Sequence, residues 1–109
     1  MANNYGIPRE VEQRIRDRDT CCVYCGKEYS QDSRMNWATI EHLNERPPFY
    51  WKQGLKEEGL AICCWSCNSS RGSKRLRDWF LTTYCVERTT PINEKTVAEP
   101  VKLYLRNEE

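Results

Sequence analysis

Two short turns constrain this chain more than anything else in it: "CVYC" at 22–25 and "CWSC" at 64–67, separated by 38 residues. A C-x-x-C turn holds two thiolates at the spacing that one tetrahedral Zn²⁺ requires, and two such turns close its coordination sphere. With sulfur in all four positions no place is left for water, so the expected metal is structural. Adjacent Cys21 and Cys63 leave the register open; Cys22, Cys25, Cys64 and Cys67 are preferred because they give the same x₂ spacing in both knuckles. Cys21, Cys63 and Cys85 are then expected as small buried apolar residues. A redox C-x-x-C is the alternative, against which stand the second pair and the lack of a βαβ pattern.

Composition explains why a staple is needed. Only 39% of the 109 residues are apolar and the mean hydropathy is −0.86, so the core is thin. Small domains of this kind commonly rely on metals or disulfides. The N-terminal "MANNYGIPRE" has no apolar stretch of a secretory signal, and no run approaches a membrane span. A cytoplasmic chain without membrane contact is therefore expected, where cysteines more often bind metal than pair; the odd count of seven also argues against a closed disulfide set. Net charge is +1, but Arg71, Lys74, Arg75 and Arg77 stand against Asp78 alone between residues 69 and 85. This basic segment reads as a phosphate-contacting surface or as a solvated helix face.

A single α+β domain over 1–109 is expected. Pro8 at the first helical position opens a helix through "REVEQRIRDRD", with Val11 and Ile15 as its apolar stripe. Residues 37–42 alternate loosely as a strand, with Trp37 and Ile40 as core candidates. The prolines and glycine of "NERPPFYWKQG" make 44–54 a loop, and "GLAIC" at 59–63 is a short apolar strand. A helix from Trp65 to Arg71 ends at Gly72, and Ser73 caps a longer helix, "KRLRDWFLTTYC". Its repeating residues Leu76, Trp79, Phe80, Thr83 and Tyr84 read as core. Past a polar stretch, Val101, Leu103, Tyr104 and Leu105 mark a short docking helix. Metal binding would hold the strand that carries His42, the chain's sole histidine, against the helix that carries Asn68. It would add about 10 kcal/mol or more of folding free energy.

The order "CVYCGKEYS … TIEHL … GLAICCWSCNSSRG" resembles the HNH endonucleases, whose fold is a ββα-metal motif with a zinc knuckle. Cys22–Gly26, Glu41–His42, Gly59–Leu60, Cys64–Asn68 and Arg71–Gly72 fill the places of the family pattern. The resemblance covers a motif core at 21–72, flanked by the N-terminal helix and a C-terminal helical extension at 73–109. It implies a metal-dependent DNA endonuclease that leaves a 5′-phosphate and a 3′-hydroxyl. His42 would be the general base, and Glu41 and Asn68 the ligands of a single catalytic divalent ion such as Mg²⁺. Arg71, Lys74, Arg75 and Arg77 would hold the backbone of double-stranded DNA without reading its sequence. The chemistry is coherent: a neutral imidazole suits proton abstraction near pH 7, and oxygen ligands suit a hard cation. The sequence departs from the pattern at Gly59, where the family's middle Asn would stand, and at Glu41, where Asp is usual.

Other readings of these residues remain. His42 can be a structural imidazole, Glu41 a surface carboxylate and Asn68 a helix-start residue; they point to catalysis only as a trio. Phe49, Tyr50 and Trp51 can stack on bases or pack their loop down. A zinc-stapled nucleic-acid-binding module without catalytic activity is the alternative function, and a structural zinc ribbon for protein contacts is a third.

Overall fold

The computed structural model describes residues 3–108. Strand β1 (Ala38–His42) and strand β2 (Leu60–Cys64) form an antiparallel pair in which Glu41 faces Ala61 and His42 faces Leu60. Every residue of β2 is buried. Alternation along the strand explains why: Leu60 and Ile62 join Ile7, Val11, Ile15 and Leu55 on one side, while Ala61 and Cys63 join the larger core built on Trp79, Phe80, Val101 and Leu105.

Helix α1 (Arg9–Arg18) supplies the first of these layers. Glu10 and Glu12 stand in its first turn and Arg16 and Arg18 in its last, matching the helix dipole, and Val11 and Ile15 face inward as expected. Pro8 is the residue before the helix rather than its first, and its carbonyl accepts from Val11 and Glu12. The far end of α1 closes the outer edge of β2. The buried Asp19 carboxylate accepts from Ile62 N at 2.9 Å, and Arg18 Nη2 donates to the Leu60 carbonyl.

Helix α2 (Trp65–Arg71) follows β2 directly, with the Cys64 sulfur accepting from Cys67 N at its start. It stops at Gly72, whose φ of 54° suits glycine. Beyond it the expected single helix is two short ones, α3 (Leu76–Trp79) and α4 (Thr83–Val86). Ser73 caps neither; Arg75 precedes α3 and Thr82 precedes α4. The break falls at Thr82, which is extended, and whose hydroxyl donates to the Trp79 carbonyl at 2.6 Å, the local bond by which threonine competes with helix. Leu76, Trp79 and Phe80 are buried and Tyr84 partly so, but Thr83 is exposed. Helix α5 (Glu99–Glu108) buries Val101 and Leu105 and leaves Leu103 outside. The segment before it returns to the first knuckle, where Ala98 N donates to the Val23 carbonyl.

Trp37, expected in the core, is 46% exposed. It sits just before β1, and its ring is covered by the Arg34 guanidinium, which also lies over Trp65. A cation over an indole face stabilises the ring at the surface. Cys63 and Cys85 are buried as expected; Cys21 is only half-buried. Among the described residues no helix is long and apolar enough to cross a membrane.

Candidate functional site

The sulfurs of Cys22, Cys25, Cys64 and Cys67 lie within 4.8 Å of one another. Bonds of about 2.3 Å place the corners of a zinc–sulfur tetrahedron about 3.8 Å apart, and Cys25 Sγ stands 3.9 Å from Cys64 Sγ. Each knuckle points a backbone N–H at its own first sulfur: Cys25 N at Cys22 and Cys67 N at Cys64. Gly26, at φ 78°, turns the first knuckle back so that Cys22 N reaches the Lys27 carbonyl. Packed this closely, the thiols cannot ionise independently. Hydrogen bonds from Cys22 draw Cys25 and Cys64 down, while Cys22, against Cys25, and Cys67, against Cys22, are pushed up. The four cysteines could hold a metal ion such as zinc, whose charge would relieve that competition.

Against the same strand pair lies a cleft of about 200 Å³, lined by Tyr5, Glu41, His42, Phe49, Asn68 and Gly72 among others. His42 ends β1. Its Nε2 is 3.0 Å from the Phe49 carbonyl. A carbonyl only accepts, so Nε2 carries the proton and the lone pair of the neutral ring is on Nδ1. Tyr5 and Phe49 meet the imidazole edge-on, at 4.4 and 5.6 Å between centroids. Burial holds the His42 pKa below the ordinary histidine value, with the Phe49 bond opposing.

Asn68 lies on the face of α2 toward β1. Its Nδ2 donates to Thr39 Oγ1 at 3.0 Å and to the Ile40 carbonyl at 3.1 Å. The Thr39 hydroxyl spends its proton on the Cys63 carbonyl, so it accepts from the amide. Both contacts therefore fix the NH₂ group toward the strand and leave Oδ1 as the free end of the side chain.

Glu41 is buried, and Oε2 receives the Tyr24 hydroxyl at 2.6 Å and Arg71 Nη1 at 3.1 Å. Burial pushes its carboxyl up, against the pull of Arg71 and Tyr24. Tyr24 is itself buried and pushed well up by the same loss of solvent, so it stays a donor. Arg71, three residues beyond Asn68 on the same helix face, is 1% exposed. It donates also to the carbonyls of His42, Leu43 and Lys74. The surface phosphate contact expected for Arg71 is thus replaced by an internal clamp, because its donors find four acceptors within the fold.

The remaining cations differ. Lys74 and Arg75 are exposed beside the cleft rim; Lys74 Nζ reaches the Ser70 carbonyl, and Arg75 approaches Glu45 at 3.7 Å. Arg77 is half-buried and bonds to the Leu105 carbonyl of α5. In the loop between the strands, Phe49 and Trp51 pack inward and Tyr50 remains exposed. Sequence reasoning missed Tyr24 and Tyr5. Tyr24 sits inside the first C-x-x-C, where its buried hydroxyl meets Glu41; Tyr5 carries no local signal. It is placed by Asn3, whose side chain accepts from Tyr5 N and Ile7 N, and by Trp51 N donating to the Tyr5 carbonyl.

Compared with known proteins, the chain matches no family model, no curated protein and no solved structure.

Proposed function

We propose that this chain is a metal-dependent DNA endonuclease of the HNH kind, its ββα-metal unit being β1, β2 and α2 with zinc on the four cysteines. The observation that carries the reading is the bonding of His42: Nε2 is bound to the Phe49 carbonyl, which leaves the lone pair on Nδ1, and the residue lines the same cleft as Asn68. A satisfied core histidine does not require an asparagine and a buried glutamate lining the same cleft.

His42 Nδ1 takes the proton of a water that attacks phosphorus, and the P–O3′ bond breaks, leaving a 5′-phosphate and a 3′-hydroxyl protonated from solvent. A divalent ion such as Mg²⁺, when bound, would stabilise charge on the phosphate and leaving oxygen. Asn68 Oδ1 and Glu41 Oε1 are the oxygens that would hold it, the Tyr24 and Arg71 hydrogen bonds both falling on Glu41 Oε2. Tyr24 and Arg71 orient that carboxylate. Lys74 and Arg75 hold the DNA backbone by charge, independent of sequence.

One observation favours the second reading, a zinc-stapled nucleic-acid-binding module: the Arg71 guanidinium already partly neutralises Glu41. The two are separated by incubating the zinc-loaded protein with plasmid DNA, with and without Mg²⁺ or Mn²⁺. Metal-dependent cleavage, lost in His42→Ala while DNA binding persists, is expected. Binding without cleavage under any divalent ion would leave the binding module.

A further inference from the structure

The Asn44 side chain bonds across the start of the loop between the strands. Asn44 Nδ2 donates to the Arg46 carbonyl at 2.7 Å and to the Pro48 carbonyl at 2.9 Å. Both partners are acceptors only, so the amide orientation is forced. Pro48 immediately precedes Phe49, whose carbonyl receives His42 Nε2. The other end of the Asn44 amide does nothing comparable: Oδ1 is buried and, among the described residues, has no hydrogen-bond partner. A buried acceptor left without a partner is destabilising. The side chain is therefore worth keeping for its two donors. Room for it comes from Gly59, just before β2. A Cβ on Gly59 would stand 3.2 Å from Asn44 Oδ1, tighter than nine in ten such approaches in proteins.

We propose that Asn44 is a positioning residue for His42: by fixing the Pro48–Phe49 backbone it holds the Phe49 carbonyl on Nε2, which keeps the proton there and the lone pair on Nδ1, and Gly59 is glycine so that this amide fits. Its effect on rate rests on the nuclease reading; its effect on the imidazole does not.

His42 is the only histidine, so a nitrogen-15 spectrum of the full zinc-loaded chain contains one imidazole. At pH 8 the parent should show a single tautomer protonated at Nε2. Asn44→Ala should retain zinc and give a mixture of tautomers. It should also lower kcat about 10- to 100-fold at unchanged KM for DNA, the scale of a small misplacement of a reacting group. Asn44→Asp, which turns an oxygen on the two carbonyls, should be worse than alanine in both readouts. Should Asn44→Ala fail to fold, Gly59→Ala decides: it keeps the amide but crowds Oδ1, and it too should mix the tautomers. A single Nε2 tautomer with parental kcat in whichever variant folds overturns the proposal. A parent that cuts no DNA, with the tautomers mixed in Asn44→Ala, sinks the nuclease reading and leaves the positioning role standing.

Discussion

The guanidinium of Arg71 joins the end of β1, the end of α2 and the chain beyond Gly72 through four hydrogen bonds, with Glu41 as its carboxylate partner. Removing one member of a buried ion pair strands the other's charge. Arg71→Ala should therefore cost about 3–5 kcal/mol, read as a lowered midpoint of denaturation in the zinc-loaded protein. A destabilisation below about 1 kcal/mol would show that the pair is solvated. His42 gives the complementary prediction. His42→Ala should keep fold and metal, because it removes no thiolate and only the rim of the core. Cleavage should fall about 100-fold or more. Only the neutral imidazole accepts a proton, and burial lowers its pKa. Activity of the parent should therefore rise with pH through an apparent value below the usual histidine range of about 6.5 and then level off. The same shift makes a stability contribution that is complete above the unfolded-state pKa and lost as pH falls toward the folded one. A profile without an acid limb would exclude His42 as the base.

At the scale of elements, a metal on the four cysteines would connect the turn after α1 to the junction of β2 and α2, beside Asn68, which bonds to β1. Chelating the metal should abolish near-ultraviolet circular dichroism and release α2 first, since Cys64 both begins that helix and belongs to the cluster. A metal-free chain with a native spectrum would refute the staple. These elements were legible because their signals are local: thiol spacing, the 3.6-residue stripe of α1, glycine at 72. The register of the cysteines followed from the same arithmetic. What escaped were features decided across the fold. Arg71 looked like one of four surface cations until Glu41 and three carbonyls enclosed it. Trp37 looked like core until Arg34 covered it from outside. The break between α3 and α4 depends on which bond the Thr82 hydroxyl makes, and apolar periodicity through Leu76, Trp79 and Phe80 carries no trace of it.

Across the whole molecule the cleft opens beside Gly72, and Lys74 and Arg75, which follow it in the chain, are exposed. Reversing both should reduce the slope of log affinity against log salt by about one for every phosphate that is no longer neutralised. Reversal of Arg77 should act instead on stability, through its bond to α5. An unchanged slope for the Lys74 and Arg75 pair would put DNA on another face. The strand between the two cores has a different consequence. "LAICC" is covered on both faces only while α1, the knuckles and α3 stay closed over it. Once uncovered it is a short apolar segment with unpaired backbone, ready to add to a copy of itself. Loss of the ion should therefore lead to precipitation rather than to a freely reversible unfolded chain. Recovery on re-adding zinc should decline with protein concentration and with time spent stripped.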